Sequence, residues 1–204
     1  MFYNLTMIIG LTGPMGAGKN EVVKILKKYK AVIIDADSVA HSLYVPQSPL
    51  WQALVRSFGS KILKRGGEIN RKKLAAVVFS NKKKLEELNR IVHPFLKEAV
   101  VKKIEDQRPK TEDRRPIIIN AALLKEIGLI DLVDEVWVVT APKEKRLERI
   151  ISQRGLTRKE AEARMRAQRP EKEYLKIADV VIKNDQTLKK LKEKVLSIIE
   201  KRLS

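Results

Sequence analysis

The sequence predicts an α/β fold, with five short parallel strands in one sheet, helices on both faces, and two helical excursions from the sheet. Three observations predict it. Apolar runs of four or five residues alternate with stretches whose apolar residues recur at helical spacing, the pattern of repeated β-α units. A glycine-rich turn separates the first strand from the first helix. The intervals after the second and fourth strands are long and read as helix without convincing strands.

Met7, Ile8, Ile9, Gly10 and Leu11 form a continuous apolar run, fit for a buried strand. The turn Gly13-Pro14-Met15-Gly16-Ala17-Gly18-Lys19-Asn20 follows. A helix over 19–30 then puts Val22, Val23, Ile25, Leu26 and Tyr29 on one broad apolar face. The second strand, 31–34, ends in Asp35-Ala36-Asp37. Asp37 has two readings, as N-cap of a helix over 38–44 or as a carboxylate facing the crevice at the strand's carboxyl end. Both hold if Asp35 does the capping.

From 46 to 107 the chain reads as nearly all helical. Leu50, Ala53, Leu54 and Phe58 mark one helix ending near Gly59, and Gly66-Gly67 is a turn. Asn70 caps a helix over 71–79, and Asn81 caps a longer one carrying Leu85, Leu88, Ile91 and Val92. His93-Pro94 is expected to interrupt that helix, because proline lacks a backbone donor and disfavours a helical residue before it. Residues 107–116 are polar and proline-punctuated, hence a surface loop. A central strand is expected at 117–120, a short helix over 123–132, and a fourth strand at 135–139. Pro142 opens a further helix, and Thr157-Arg158-Lys159-Glu160 is a capping box for a helix to about 168. A fifth strand at 179–182 and a closing helix over 187–203 complete the fold. Leu188, Leu191, Val195, Ile198, Ile199 and Leu203 are aligned along that last helix.

Composition narrows the function classes. At 204 residues the chain suits one domain with a sizeable core. The absence of cysteine excludes disulfide scaffolds and Cys-based metal or redox centres, and fits a reducing cytoplasm, the expected location. Residues 1–6 lack the basic and apolar regions of a signal peptide, and no apolar run approaches a membrane span, so no membrane partner is expected. The formal net charge of +18 attracts polyanions or phosphorylated metabolites. Between Arg56 and Arg115, 18 Lys/Arg stand against 8 Asp/Glu, but they flank leucines at helical spacing and read as solvated helix faces. With aromatics at 5% and no stacking motif, a nucleic-acid partner is not expected. Oligomeric state is not legible.

The glycine-rich turn carries the chemistry. Gly13, Gly16 and Gly18 let the backbone curl so that successive N–H groups face an anion, and the helix opening at Lys19 aims its N-terminus at the same place. Strand, G-x-x-x-x-G-K and helix together make a phosphate-binding loop. Lys19 adds a full charge for the β- and γ-phosphates. Asn20 stands where a Ser or Thr usually offers a hydroxyl to Mg²⁺. The arginine-rich excursion after the fourth strand, with Arg146, Arg149 and Arg154, suits a lid over a triphosphate. Asp37 suits a carboxylate that orients an attacking hydroxyl.

Taken in order, these residues resemble the dephospho-CoA kinases. The likeness spans nearly the whole chain. It rests on Gly10-Leu11-Thr12-Gly13 with the loop, Asp35-Ala36-Asp37 with Ala40-His41, Gly67 through Leu74, His93-Pro94, and Ala121 through Glu126. Arg149 with Gly155-Leu156-Thr157, Arg164 through Gln168, and Ala178 through Asn184 complete it.

The resemblance implies a P-loop nucleotide kinase-like sheet and ATP-dependent phosphorylation of the ribose 3′-hydroxyl of dephospho-CoA, with Mg²⁺. It implies a nucleotide core at 7–37, 116–141 and 177–204, an acceptor region at 38–115 and a lid at 142–176. Lys19, Asp37 and Arg149 would be catalytic. Nucleotide binding would fall to Gly13, Gly16, Ala17, Gly18, Lys19, Asn20, Glu21, Arg146, Arg154 and Asn184, the last near the adenine. The acceptor would meet Asp37, His41, Arg71, His93 and Glu126, with His93 alternatively a satisfied core histidine. Asn20 would be the metal ligand. Asn20 and Glu21 depart from the family's hydroxyl pair, Gln153 from a lid arginine, and Gln186 from a glycine. A related kinase of another nucleotide or nucleoside, or a nucleic-acid-binding regulator without transfer, are the alternatives.

Overall fold

The computed structural model describes residues 6–79, 81–107 and 115–203. Most of the surface loop expected at 107–116 lies outside the described residues. Five strands, β1 (Ile8–Thr12), β2 (Val32–Asp35), β3 (Ile117–Asn120), β4 (Glu135–Thr140) and β5 (Val180–Lys183), form one all-parallel sheet in the order β2-β3-β1-β4-β5. The three inner strands are buried almost throughout, as continuous apolar runs in a sheet covered on both faces must be. The outer strands β2 and β5 are only partly buried.

Each face of the sheet has its own core. On one side α1 (Lys19–Lys28) and α9 (Leu188–Leu203) press Val22, Leu26, Leu191, Val195 and Ile199 onto Ile9, Leu11, Trp137 and Ile182. On the other, α2 (Ala36–Ser42), the second half of α5 (Lys82–Gln107) and α8 (Glu171–Leu175) supply Val39, Leu96, Val100, Ile104 and Tyr174 against Ile8, Ile117 and Val136. Leu188, expected on the apolar face of α9, is 64% exposed and lines the cleft at the carboxyl end of the sheet.

The helical excursion after β2 has a separate core. Here α3 (Pro49–Phe58), α4 (Arg71–Phe79) and the first half of α5 bury Leu50, Leu54, Phe58, Leu74, Val78 and Val92. Ser48 caps α3 through the Trp51 N–H, and Asn70 and Asn81 cap α4 and α5 as expected. After β4, α6 (Lys143–Arg154) and α7 (Arg158–Arg166) enclose a small cluster of Leu147, Ile150 and Ala161. Thr157 and Glu160 form the expected capping box of α7. Helix α8, five residues long, has no counterpart among the sequence-based expectations.

Two local expectations fail. α5 runs unbroken for 26 residues through Pro94. Its first half belongs to the core of the excursion and its second half to the sheet core, so a break would uncouple two buried faces. Burying a leucine or valine stabilises by about 1.5–3 kcal/mol. Several such side chains outweigh the roughly 3 kcal/mol of an interior proline. Pro94 is exposed, so Pro94→Ala removes the penalty without opening a cavity. It is expected to raise stability by about 1–2 kcal/mol in a urea unfolding curve. The expected helix over 123–132 is instead a series of turns followed by a 3₁₀ turn at Ile130–Leu132. Gly128, with φ of 72°, takes the left-handed conformation that stops a helix.

Candidate active site

The carboxyl ends of β1, β2, β3 and β5 open onto a cleft of about 740 Å³. In an open parallel sheet this is where ligands meet the chain, because loops diverge there and helix N-termini point inward. The loop Gly13–Asn20 forms its floor, with Gly18 as the left-handed N-cap of α1 (φ 99°). Side chains at two of its positions would collide with backbone. A Cβ at Gly13 would lie 2.3 Å from the Val139 carbonyl oxygen, and one at Gly16 would lie 2.6 Å from that of Arg146.

Three consecutive loop carbonyls are tied off by α6 and the loop after β5. Arg146 Nε donates to Met15 O at 3.0 Å. Arg149 Nη1 donates to Gly16 O at 3.2 Å and Ala17 O at 3.4 Å, while its Nη2 reaches Asn184 O and Oδ1. Asn184, 3% exposed, donates to Ala17 O at 2.8 Å. With its acceptors engaged in this way, the loop can offer N–H groups to an anion, the condition for a phosphate cradle. Arg146 also pairs with Glu171 and is 7% exposed. Burial lowers the pKa of its guanidinium from the usual value, against the opposing charge of Glu171. It braces the loop and does not line the cleft.

Lys19 folds back over the loop, with Nζ donating to Gly13 O at 2.9 Å. Burial pushes its ammonium below the ordinary range, opposed by the nearby Asp37 carboxylate, and the charges of Arg146 and Arg154 push it further down. An anion in the cleft would reverse that tendency. Asp35 caps α2 by accepting the Ser38 N–H, and its other oxygen accepts from Asn120 Nδ2 at 2.7 Å. Asp37, one step into α2, is exposed to the same cleft. Sequence left both roles open for Asp37; geometry gives the cap to Asp35.

The remaining expected residues divide. Asn20, Glu21 and Arg154 line the cleft, with Glu21 paired to Lys24 at 2.7 Å. Gly16, Gly18, Arg149 and Asn184 line it too, whereas Gly13 and Ala17 serve as buried loop backbone. His41 and Arg71 lie outside it and meet each other, Nε2 to Nη2, at 2.6 Å, joining α2 to α4. His93 is half-buried on α5 beside Glu126. Burial lowers its pKa against a hydrogen bond to the Glu126 backbone and the Glu126 charge. Glu126 pairs with Arg169 and borders a small neighbouring recess rather than the main cleft. Sequence reasoning missed the part played by Gln168, whose Oε1 accepts the Met15 N–H at 2.8 Å across 153 positions of chain. Only its inclusion in the Arg164–Gln168 motif signalled it.

A parallel sheet in this order, a G-x-x-x-x-G-K loop after its first strand and an arginine-bearing helical excursion after β4 define a P-loop phosphotransferase of the small-molecule kinase type. Within that class the chain belongs to the dephospho-CoA kinase family, whose model matches residues 7–190. It is 41% identical to the dephospho-CoA kinase of Carboxydothermus hydrogenoformans, over 95% of this chain and 93% of that protein. Among solved structures it is similar to TT1252 from Thermus thermophilus, with a TM-score of 0.80 and 31% identity over 97% of this chain and 98% of that one. It is also similar to the dephospho-CoA kinase from Campylobacter jejuni, with a TM-score of 0.71 and 26% identity over 95% of each chain. The chain is therefore a kinase of the coenzyme A pathway, and ATP is the phosphoryl donor its family implies. No helix among the described residues is long and apolar enough to cross a membrane.

Proposed function

We propose that the chain transfers the γ-phosphoryl group of ATP to the ribose 3′-hydroxyl of dephospho-CoA, giving CoA and ADP. The observation that carries this reading is that Lys19 and Asp37 open onto one cleft, with the Asp37 carboxylate close enough to favour the charged form of the Lys19 ammonium. Lys19 and the loop N–H groups hold the triphosphate, with Arg149 and Arg154 from α6 beside it. Asp37 accepts a hydrogen bond from the attacking hydroxyl and aligns it with the γ-phosphorus. Phosphoryl transfer asks for position and placed charge more than for covalent chemistry, and this set of residues supplies both. The nucleotide core at 7–37, 116–141 and 177–204 carries the loop. The excursion at 38–115 receives the acceptor, with His41, Arg71, His93 and Glu126 along its approach. The segment 142–176 is the lid that excludes water as a competing acceptor.

Among the described residues no three acidic or histidine side chains gather into a metal cage. Mg²⁺ would thus arrive with the phosphates, with Asn20 as its protein ligand. The Asn20 amide oxygen fits that use, since it lines the cleft, has no hydrogen-bond partner among the described residues, and is the neutral oxygen a hard cation accepts. Bound there, the ion would neutralise charge building between the β- and γ-phosphates. Asn20→Ser is expected to shift the Mg²⁺ concentration for half-maximal rate by at least about threefold, at unchanged ATP affinity. A superimposable Mg²⁺ titration would remove Asn20 from the metal site.

Incubating the protein with ATP, Mg²⁺ and dephospho-CoA and following CoA by mass spectrometry tests the reaction. Absence of turnover with both ATP and GTP would overturn it. A panel of other nucleosides and nucleotides as acceptors tests how exclusive it is.

A further inference from the structure

Gln168 lies in the turn between α7 and α8 and lines the cleft. Its Oε1 accepts the Met15 N–H at 2.8 Å. A backbone N–H can only donate, so that bond settles the orientation of the side-chain amide: oxygen toward the loop, Nε2 away from it. Nε2 has no hydrogen-bond partner among the described residues. It carries two donors at the edge of a cavity built to receive anionic oxygens.

Met15, the residue Gln168 holds, is bound to the lid in three ways. Its N–H goes to Gln168, its carbonyl accepts from Arg146, and its side chain packs beside Leu147, Ile150 and Ala161. It is also the last residue before the amides at 16–20 curl into α1. A donor anchored on Met15 from the lid side therefore joins the loop just ahead of the amides at 16–20, in the same cleft as Lys19 and Asp37. That cleft is where the transferred group must sit if Asp37 aligns its attacker.

We propose that Gln168 is a ligand of the transferred phosphoryl group, with Nε2 donating to a γ-phosphoryl oxygen while Oε1 stays on Met15. This rests on the reading of the cleft as a triphosphate site. The side chain suits the task chemically. A neutral amide adds a donor without adding to the positive charge of Lys19, Arg149 and Arg154, and its other end is pinned to the loop it serves. Donors aimed at oxygens that gain charge during transfer stabilise the transition state more than the ground state.

Gln168→Glu keeps an oxygen for the Met15 N–H but removes the donor. Gln168→Leu removes both. Steady-state kinetics, thermal melting, and calorimetric titration with ADP and with β,γ-imido-ATP test the pair of variants. Gln168→Glu is expected to lower kcat by about 100-fold, as loss of one transition-state donor does. Its affinity for β,γ-imido-ATP should fall by about tenfold, while ADP affinity changes by less than about threefold and the melting temperature stays put. Gln168→Leu should show the same kcat loss together with a lower melting temperature. A kcat of Gln168→Glu within about threefold of the parent would overturn the assignment, as would equal weakening of ADP and β,γ-imido-ATP, which marks a loop brace alone. If the parent protein bound neither nucleotide, the reading of the cleft would itself fall. With parent binding intact, only the role of Gln168 is at stake.

Discussion

Asp37→Asn is expected to lower kcat by about 10³-fold while ATP affinity stays within about twofold, the signature of a group that acts on the attacking hydroxyl. The substitution is nearly isosteric, and Asp37 is exposed with no cap to lose, since Asp35 caps α2. Folding should therefore be unaffected. An amide in its place can still sit near the hydroxyl but accepts its proton poorly. The Lys19 ammonium would also lose the nearby negative charge that most favours its protonated form, because the Asp37 carboxylate does more than any other group to oppose the effect of burial on Lys19. The measurement is a steady-state rate beside a calorimetric ATP titration. Equal losses of rate and affinity would contradict the role given to Asp37.

Gly13→Ala should be strongly destabilising. Gly13 has φ of 144°, and a Cβ there would lie 2.3 Å from the carbonyl oxygen of Val139 on the adjacent strand. Neither partner is a side chain that could swing away, so the loop must leave β4 or the backbone must strain. Strain of about 1–3 kcal/mol and overpacking of a similar size add to a stability loss on the order of 4 kcal/mol. Nucleotide binding should disappear with it, because the displaced segment is the cradle. Gly66→Ala is the matched control, with nothing within 4 Å of its Cβ, and should change stability by less than about 0.5 kcal/mol. Urea unfolding of both variants and ATP titration of each would decide the matter. A Gly13→Ala protein as stable as the parent would show that the loop has room to give.

The legibility of this chain follows the range of the forces involved. The strand, turn and helix around Lys19 could be read because Gly13, Gly16 and Gly18 answer a dihedral requirement within a few residues. The caps at Asn70, Asn81 and Thr157 could be read for the same reason. Pro94 misled because its local penalty is real, yet it falls between two buried halves of one helix. Arg146, Arg149 and Arg154 share one helix and one residue type, so sequence could only group them. Burial separates them, with Arg146 braced behind the loop against Glu171 while Arg149 and Arg154 border the cleft.

By itself, the sequence determined the alternation of strands and helices, the phosphate-binding loop and the family, since periodicity, backbone requirements and ordered motifs are all written along the chain. Only the tertiary structure decided which aspartate caps α2 and that Leu188 faces the cleft rather than the core. It alone brought Gln168 onto a loop residue 153 positions away. Those outcomes depend on which faces meet once helices and sheet have packed, and no local spacing specifies that meeting.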